Sequence, residues 1–336
     1  MKHSSATKSK IICIYAAAAA MLFLGIFLGI FLGATELDAA KLISALLSGD
    51  FGCAEVRILL YVRLPRALAT VICGCALATS GAVIQGVLAN RLASPSIIGV
   101  NAGAGLAVTL CTAVGLVGFS VSVLAFIGAF ACVMLISAFA RRQAASRGTV
   151  ILAGVAISSL CGAISDTVIT FIPEVSVMSN DFRIGDFSAV TYKLLIPAAV
   201  IVIISLAVLL TLIPELDLFT LGEARAAGLG LNTRVMRVIL LLIAAALAGA
   251  AVSVCGLLSF VGLLVPHAVR RIAGSEAKRL IPLCALFGGG FVALCDTAAR
   301  VIFAPYEIPV GIIMAFIGAP FFIFILLKGR GREDNA

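Results

Sequence analysis

The sequence predicts an all-α polytopic membrane protein of about ten transmembrane helices, one of them partial. Three observations predict it. Of 336 residues, 62% are hydrophobic and 12% charged, with a mean hydropathy of +1.21. Ordinary soluble domains carry about 25% charged residues, so this chain has too few polar side chains to clothe a water-exposed surface. Its apolar runs are continuous rather than alternating over about 10-residue segments, which excludes an outer-membrane barrel. Its basic residues gather in short clusters, the usual mark of helix ends in membrane proteins. Ten spans take roughly 200 residues. The remainder is too short for a separate ATPase or catalytic domain, so residues 1–336 read as one transmembrane domain.

Hydropathy and breakers place the helices near 11–33, 67–88, 96–116, 118–140, 149–172, 194–213, 235–254, 256–268, 280–303 and 308–327. The first follows Lys2, Lys8 and Lys10, as a signal peptide would. The run Ile11–Gly33 outlasts a hydrophobic region of about 7–15 residues, so it reads as a retained helix. Gly25, Gly29 and Gly33 share one of its faces, where a neighbouring backbone can approach. The eighth helix is too short to cross alone and reads as partial or strongly tilted.

A cytoplasmic amino terminus puts 17 of the 24 Lys/Arg inside and leaves Lys41, Arg57, Arg63, Arg66, Arg183, Lys193 and Arg300 outside. This predicts both termini in the cytoplasm, with tails at 1–10 and 328–336. Arg63, Arg66 and Arg300 lie at outer helix ends, where the positive-inside tendency disfavours them. The net charge of +8 is spread in short clusters along the chain, which points to topology and not to nucleic acid. The ten cysteines sit almost all in apolar runs without CxxC or metal-ligand spacing, so they read as packing residues and no metal site or cofactor is expected.

Four stretches are richer in polar or helix-breaking residues than lipid-facing helices need: Arg63 to Ala104, Pro173 to Lys193, Pro214 to Arg237, and Cys255 to Arg279. They carry Arg63-Leu-Pro-Arg66, Gly74 through Ser80-Gly81 and Gln85 to Asn90, and Ala93-Ser-Pro95 leading to Gly99 and Gly103. Further on come Leu152-Ala-Gly-Val-Ala156, Leu221-Gly-Glu223 with Leu229-Gly230, Phe260-Val-Gly262 with Pro266-His267 and Arg270, and Asp296 with Arg300. Glu307-Ile-Pro-Val-Gly311 and Gly318-Ala-Pro320 close the series. In this order and spacing, over about residues 55 to 328, the chain resembles the FecCD-type permease subunits of ABC importers for iron–siderophore complexes, haem and cobalamin. It departs from the family pattern where Arg183-Ile-Gly185-Asp186 replaces a Trp followed by Gly-Ser, where Gly256-Leu-Leu-Ser259 lacks a proline, and where Arg91 stands in place of a common proline.

The resemblance implies a homo- or heterodimer with a second permease subunit, two cytoplasmic ABC ATPase subunits, and an extracytoplasmic substrate-binding protein. The chain has no GxxxxGK[ST] phosphate loop, so ATP hydrolysis is expected on a partner and the chain itself is not an enzyme. The family further implies that Arg63, Arg66 and Arg300, with Arg57, receive acidic residues of the binding protein. The alternative is that Arg300 pairs with Asp296 and the other arginines snorkel to headgroups.

Residues 214–237 form the expected coupling loop. Leu221, Gly222, Glu223, Ala224 and Arg225 should lie on a short helix ended by Gly228 or Gly230, suited to a groove in the ATPase. Gln85, Asn90, Ser94 and Asn101 are candidates to line the path, with helix–helix hydrogen bonding an equal account. Asp296 and Arg300, spaced i,i+4, can pair on one helix face. Asp166 has no sequence-local partner. His267 reads as a cap or turn residue, since the second histidine is distant His3. The function expected is import of an iron–siderophore complex. Haem, cobalamin, zinc or manganese import, or a proton-coupled transporter using Asp166 and Asp296, are the alternatives.

Overall fold

A computed structural model describes residues 2–33, 38–142, 147–220 and 222–333. Helix α1 (Lys2–Phe31) is followed on one side of the bundle by the short α2 (Ala39–Ser48) and α3 (Ala54–Ile58). A π-helical turn, Leu59–Arg63, then leads into α4 (Leu64–Val87). The chain continues through α5 (Val100–Ala113), α6 (Phe119–Arg142), α7 (Arg147–Phe171), the short α8 (Val175–Ile184) and α9 (Tyr192–Thr211). Two short helices, α10 (Ile213–Thr220) and α11 (Glu223–Gly228), precede α12 (Thr233–Cys255). Last come α13 (Val261–Ala273), α14 (Ala277–Val301) and α15 (Val310–Glu333).

Seven helical stretches among the described residues are long and apolar enough to cross a bilayer: Ser9–Phe31, Ala54–Val87, Phe119–Ala138, Gly148–Phe171, Tyr192–Thr211, Thr233–Cys255 and Ala277–Val301. With the shorter α5, α13 and α15, they occupy the ten positions expected from hydropathy. The differences have physical causes. Both expected tails continue a helix, since α1 starts at Lys2 and α15 ends at Glu333. Pro95 and the turns around it delay α5 to Val100. Pro65 has no N–H and its ring crowds the carbonyl four residues back, and the preceding turn is widened to π geometry.

The partial helix lies a few residues later than expected, at 261–273 instead of 256–268. Gly256 to Phe260 are not helical, and irregular backbone at membrane depth must find partners inside the protein. It does so on the last turn of α8 and the residues just after it: Leu257 N–H donates to Phe182 O at 2.8 Å, and Asp186 N–H donates to Cys255 O at 2.9 Å. At 13 residues, α13 rises only about 20 Å, short of a bilayer core of about 30 Å.

Helix α4 lies at the centre, buried along most of its length among α12, α13 and α14. Its small residues make this possible. A Cβ on Gly74 would run into the backbone of Gly288 on α14, and one on Gly81 would run into the backbone of Gly262 on α13. Backbones therefore touch at both points, the close approach that small residues allow in membrane helices. The outer faces are apolar, with Phe23, Phe27 and Phe31 exposed on α1 and Ile196, Val200, Ile203 and Ile204 exposed on α9. At the end of the bundle where α4 starts, Asp38 caps α2 by accepting from Ala40 N–H at 3.0 Å and Lys41 N–H at 3.2 Å. The Lys41 N–H, with the Ala40 N–H, holds that carboxyl below its ordinary pKa.

Candidate functional site

Charge is concentrated at the end of the bundle where α1 ends and α4 begins. Arg66 and Asp296 are buried there, 6% and 1% exposed. Arg66 Nε donates to Asp296 Oδ1 and Oδ2 at 3.1 and 3.2 Å, and its Nη2 donates to Oδ1 at 3.0 Å. Its Nη1 donates to Glu307 Oε2 at 2.7 Å, and Nη2 lies 3.8 Å from Asp186 Oδ1. Arg300 Nε is 3.0 Å from Asp296 Oδ2, one turn away on α14. Asp296 thus sits between two guanidiniums, the pairing its i,i+4 spacing with Arg300 predicted.

The remaining donors cap α1. The last carbonyls of a helix have no partner within it and carry its negative dipole end. Arg63 Nη1 donates to Ile30 O at 2.9 Å and Phe31 O at 2.7 Å. Arg300 donates through Nη1 to Leu32 O at 2.9 Å and through Nη2 to Gly29 O at 3.1 Å. The glycine stripe allows this: a Cβ on Gly33 would stand 3.2 Å from Arg63 Nη2, and Gly25 faces the Gly290 carbonyl of α14. Arg63 and Arg300 are 4% and 3% exposed. Arg63, Arg66 and Arg300, expected as docking residues, are buried here and engaged with α1 and Asp296. Of the four, Arg57 on α3 is exposed.

The path candidates separate. Ser94 and Asn101 line one cavity of about 200 Å³, with Ser96, Ser259 and Phe260, between the irregular segments that precede α5 and α13. Asn101 Nδ2 donates to Ser96 Oγ at 2.9 Å. Asn90 instead closes its own turn, accepting from Leu92 N–H at 2.9 Å. Gln85 is buried and donates through Nε2 to Gly262 O at 3.1 Å, while its Oε1 accepts from Arg270. It ties α4 to α13, the helix–helix alternative.

Asp166 also finds a partner, Arg183 on α8, whose Nη2 donates to Oδ1 at 3.0 Å. Thus both charged residues of the Arg183–Asp186 stretch, read from sequence only as a departure, are engaged. On α7, Ala156, Ser159, Ala163, Asp166, Thr167 and Thr170 are exposed on a helix otherwise suited to lipid. Sequence reading missed this stripe, although its i,i+3/i+4 spacing carried the signal. It also missed Glu307 and Asp186 as partners of Arg66.

In the loop at 214–237, the short expected helix is α11. Gly222 before it has φ of 100°, and Gly230 after it has φ of 90°. Leu231 N–H donates to Ala226 O at 3.1 Å and Gly230 N–H to Ala227 O at 3.0 Å, so Gly230, not Gly228, is the terminating glycine. Ala224 and Arg225 are exposed; Leu221 lies outside the described residues.

The FecCD transport family model matches residues 21–328 of this sequence. The chain belongs to that family. Among its relatives, the hemin transport system permease protein HmuU of Yersinia pestis is 35% identical over 284 residues, covering 82% of this chain and 85% of HmuU. The Fe(3+)-citrate import system permease protein YfmE of Bacillus subtilis is 36% identical over 278 residues, covering 81% of this chain and 82% of YfmE. The vitamin B12 import system permease protein BtuC of Yersinia enterocolitica is 35% identical over 274 residues, covering 80% and 81%. A solved inward-facing metal-chelate type ABC transporter chain superposes with a TM-score of 0.82 at 27% identity, over 95% of this chain and 99% of that one. PsaBC of Streptococcus pneumoniae, at 18% identity and a TM-score of 0.56, shares the fold. This FecCD chain is accordingly an ABC importer permease, a multi-pass transport subunit of the inner membrane.

Proposed function

We propose that this FecCD permease carries an iron–siderophore complex inward as part of an assembly with a second permease subunit, two cytoplasmic ATPases and an extracytoplasmic binding protein. The observation that carries the reading is the polar stripe of α7. Ser159, Asp166, Thr167 and Thr170 are exposed on a membrane-spanning helix, and exposed polar side chains at that depth belong beside water. A second permease subunit facing α7 would enclose that water as a path. The stripe is small and weakly ligating, which suits a bulky chelate handed over by a binding protein better than a bare ion. Relatives that import Fe(3+)-citrate support the substrate class.

In this reading the amino terminus is cytoplasmic, α11 docks in a groove of the ATPase, and the binding protein meets the face that carries Arg57. The carboxylates a proton-coupled transporter would need are both tied to arginines: Asp296 to Arg66 and Arg300, Asp166 to Arg183. The test is uptake of a panel of ⁵⁵Fe-loaded siderophores by cells carrying the full transporter, with an uncoupler present and ATP maintained. Uptake of a siderophore should persist. Uptake that dies with the gradient at constant ATP would sink the mechanism, and uptake of haem or cobalamin alone would sink the substrate.

A further inference from the structure

At the end of the bundle opposite the Arg66–Asp296 cluster, a cavity of about 330 Å³ opens between the last turn of α4, α10, α13 and the first turn of α14. Liquid water occupies about 30 Å³ per molecule, so the space holds roughly ten waters or a hydrated phosphate group. Its charged lining consists of Arg91 and Arg270, joined by the polar Gln85, Thr220 and Ser275.

Among the described residues, neither guanidinium has a counterion. Arg270 donates to two neutral acceptors, Gln85 Oε1 and, at 3.3 Å, Ala82 O. Arg91 has no ion pair or side-chain hydrogen bond among the described residues. Of the carboxylates adjoining the cavity, Asp217 is turned to the start of α14, where its Oδ1 accepts from Ala277 N–H at 2.6 Å, and Glu276 lies 3.4 Å from Arg279 Nε. Arg91 and Arg270 therefore feel each other's charge, with no ion pair among the described residues to offset it. At the opposite end the same protein balances Arg66 with Asp296, Glu307 and Asp186. Arg91 is exposed at the mouth of the cavity and Arg270 is half-buried behind it, so the shared space faces two like charges with no protein anion to offset them.

We propose that this cavity binds a phosphate-class anion, held between Arg91 and Arg270. A guanidinium fork matches two phosphate oxygens, and basic pockets between membrane helices at the bilayer surface receive lipid headgroups. Gln85 is a positioning residue: by holding Arg270 from one side and Gly262 O from the other, it turns the remaining N–H groups of the guanidinium toward the cavity. The ligand would join α4, α10 and α13. The inference does not depend on which side of the membrane this end occupies.

The test uses the full-length permease in two kinds of nanodisc. In discs containing phosphatidylglycerol, native mass spectrometry should find lipid retained on the wild type. Arg91→Gln, which removes no hydrogen bond or ion pair among the described residues, should cut that retention roughly tenfold. In discs of phosphatidylcholine alone, inorganic phosphate should raise the thermal midpoint saturably, and Arg91→Gln should abolish the rise; this second pattern without lipid retention assigns a soluble anion. Lys278→Gln serves as a control for general surface charge and should leave both readouts unchanged. Equal retention by wild type and Arg91→Gln, with no response to phosphate, overturns the proposal and is the result expected if a partner protein's carboxylate fills the cavity. A loss in Lys278→Gln as large as in Arg91→Gln overturns it as well.

Discussion

Arg66 and Asp296, 230 positions apart in sequence, meet through three hydrogen bonds of 3.0 to 3.2 Å in the interior of the bundle. Their contact ties α4 to α14. Through Arg300, which touches the same carboxylate and two carbonyls of α1, it ties both to the first helix. Removing the shared anion strands two buried cations. Asp296→Asn should therefore cost about 3–5 kcal/mol. Thermal unfolding in detergent measures this, and a variant as stable as wild type would show that the cluster does not hold the helices together.

The contact of α4 with α13 predicts a size limit. Gly81→Ala would drive a methyl group into the Gly262 backbone, whereas Gly105 on α5 has open space at the same point. Overpacking costs about 1–3 kcal/mol, so Gly81→Ala should lower the thermal midpoint and the yield, and Gly105→Ala should leave both near wild type. Equal behaviour of the two variants would refute the close packing.

Docking of the binding protein should depend on Arg57 in a manner separable from folding. Arg57→Glu should weaken affinity for the purified binding protein in nanodiscs, by a factor that shrinks as salt rises, with the thermal midpoint unchanged. Reversing Arg63 and Arg66 should instead lower stability first, because both are buried. An affinity in Arg57→Glu equal to that of wild type across ionic strength would remove this residue from the docking surface.

Cysteines placed at the exposed Ala224 or Ala227 of α11, in a background without the native ten, should crosslink to the ATPase subunit. Modification by small soluble thiol reagents alone, with no crosslink formed, would mean that α11 is not the coupling element.

Much of the fold was legible because its determinants are local. Bilayer thickness sets the length of each apolar run, and the end of α11 at a glycine follows from residues within one turn. The pairing of Asp296 with Arg300 was legible for the same reason, since one helical turn separates them. The burial of Arg63, the capture of Arg66 by Glu307 and Asp186, and the pairing of Asp166 with Arg183 were not. Each depends on which helices pack together and at what depth. The partial helix was foreseen from its length, yet its start at Val261 depended on Phe182 O accepting from Leu257 N–H and Asp186 N–H donating to Cys255 O in the irregular backbone before it.

The sequence by itself determined that this chain is a ten-helix membrane protein of the FecCD type, because continuous apolar length, charge clusters and ordered motifs are properties of the chain alone. Only the tertiary structure decided what its charged residues do. A guanidinium at a helix end can meet solvent, a headgroup, a carboxylate or another helix's carbonyls. Sequence cannot choose among these, since the cost of leaving such a charge unpaired is set by the burial that packing creates. In this protein packing brought the carbonyls of Gly29 to Leu32 within reach of Arg63 and Arg300 and left Arg91 and Arg270 facing a common cavity.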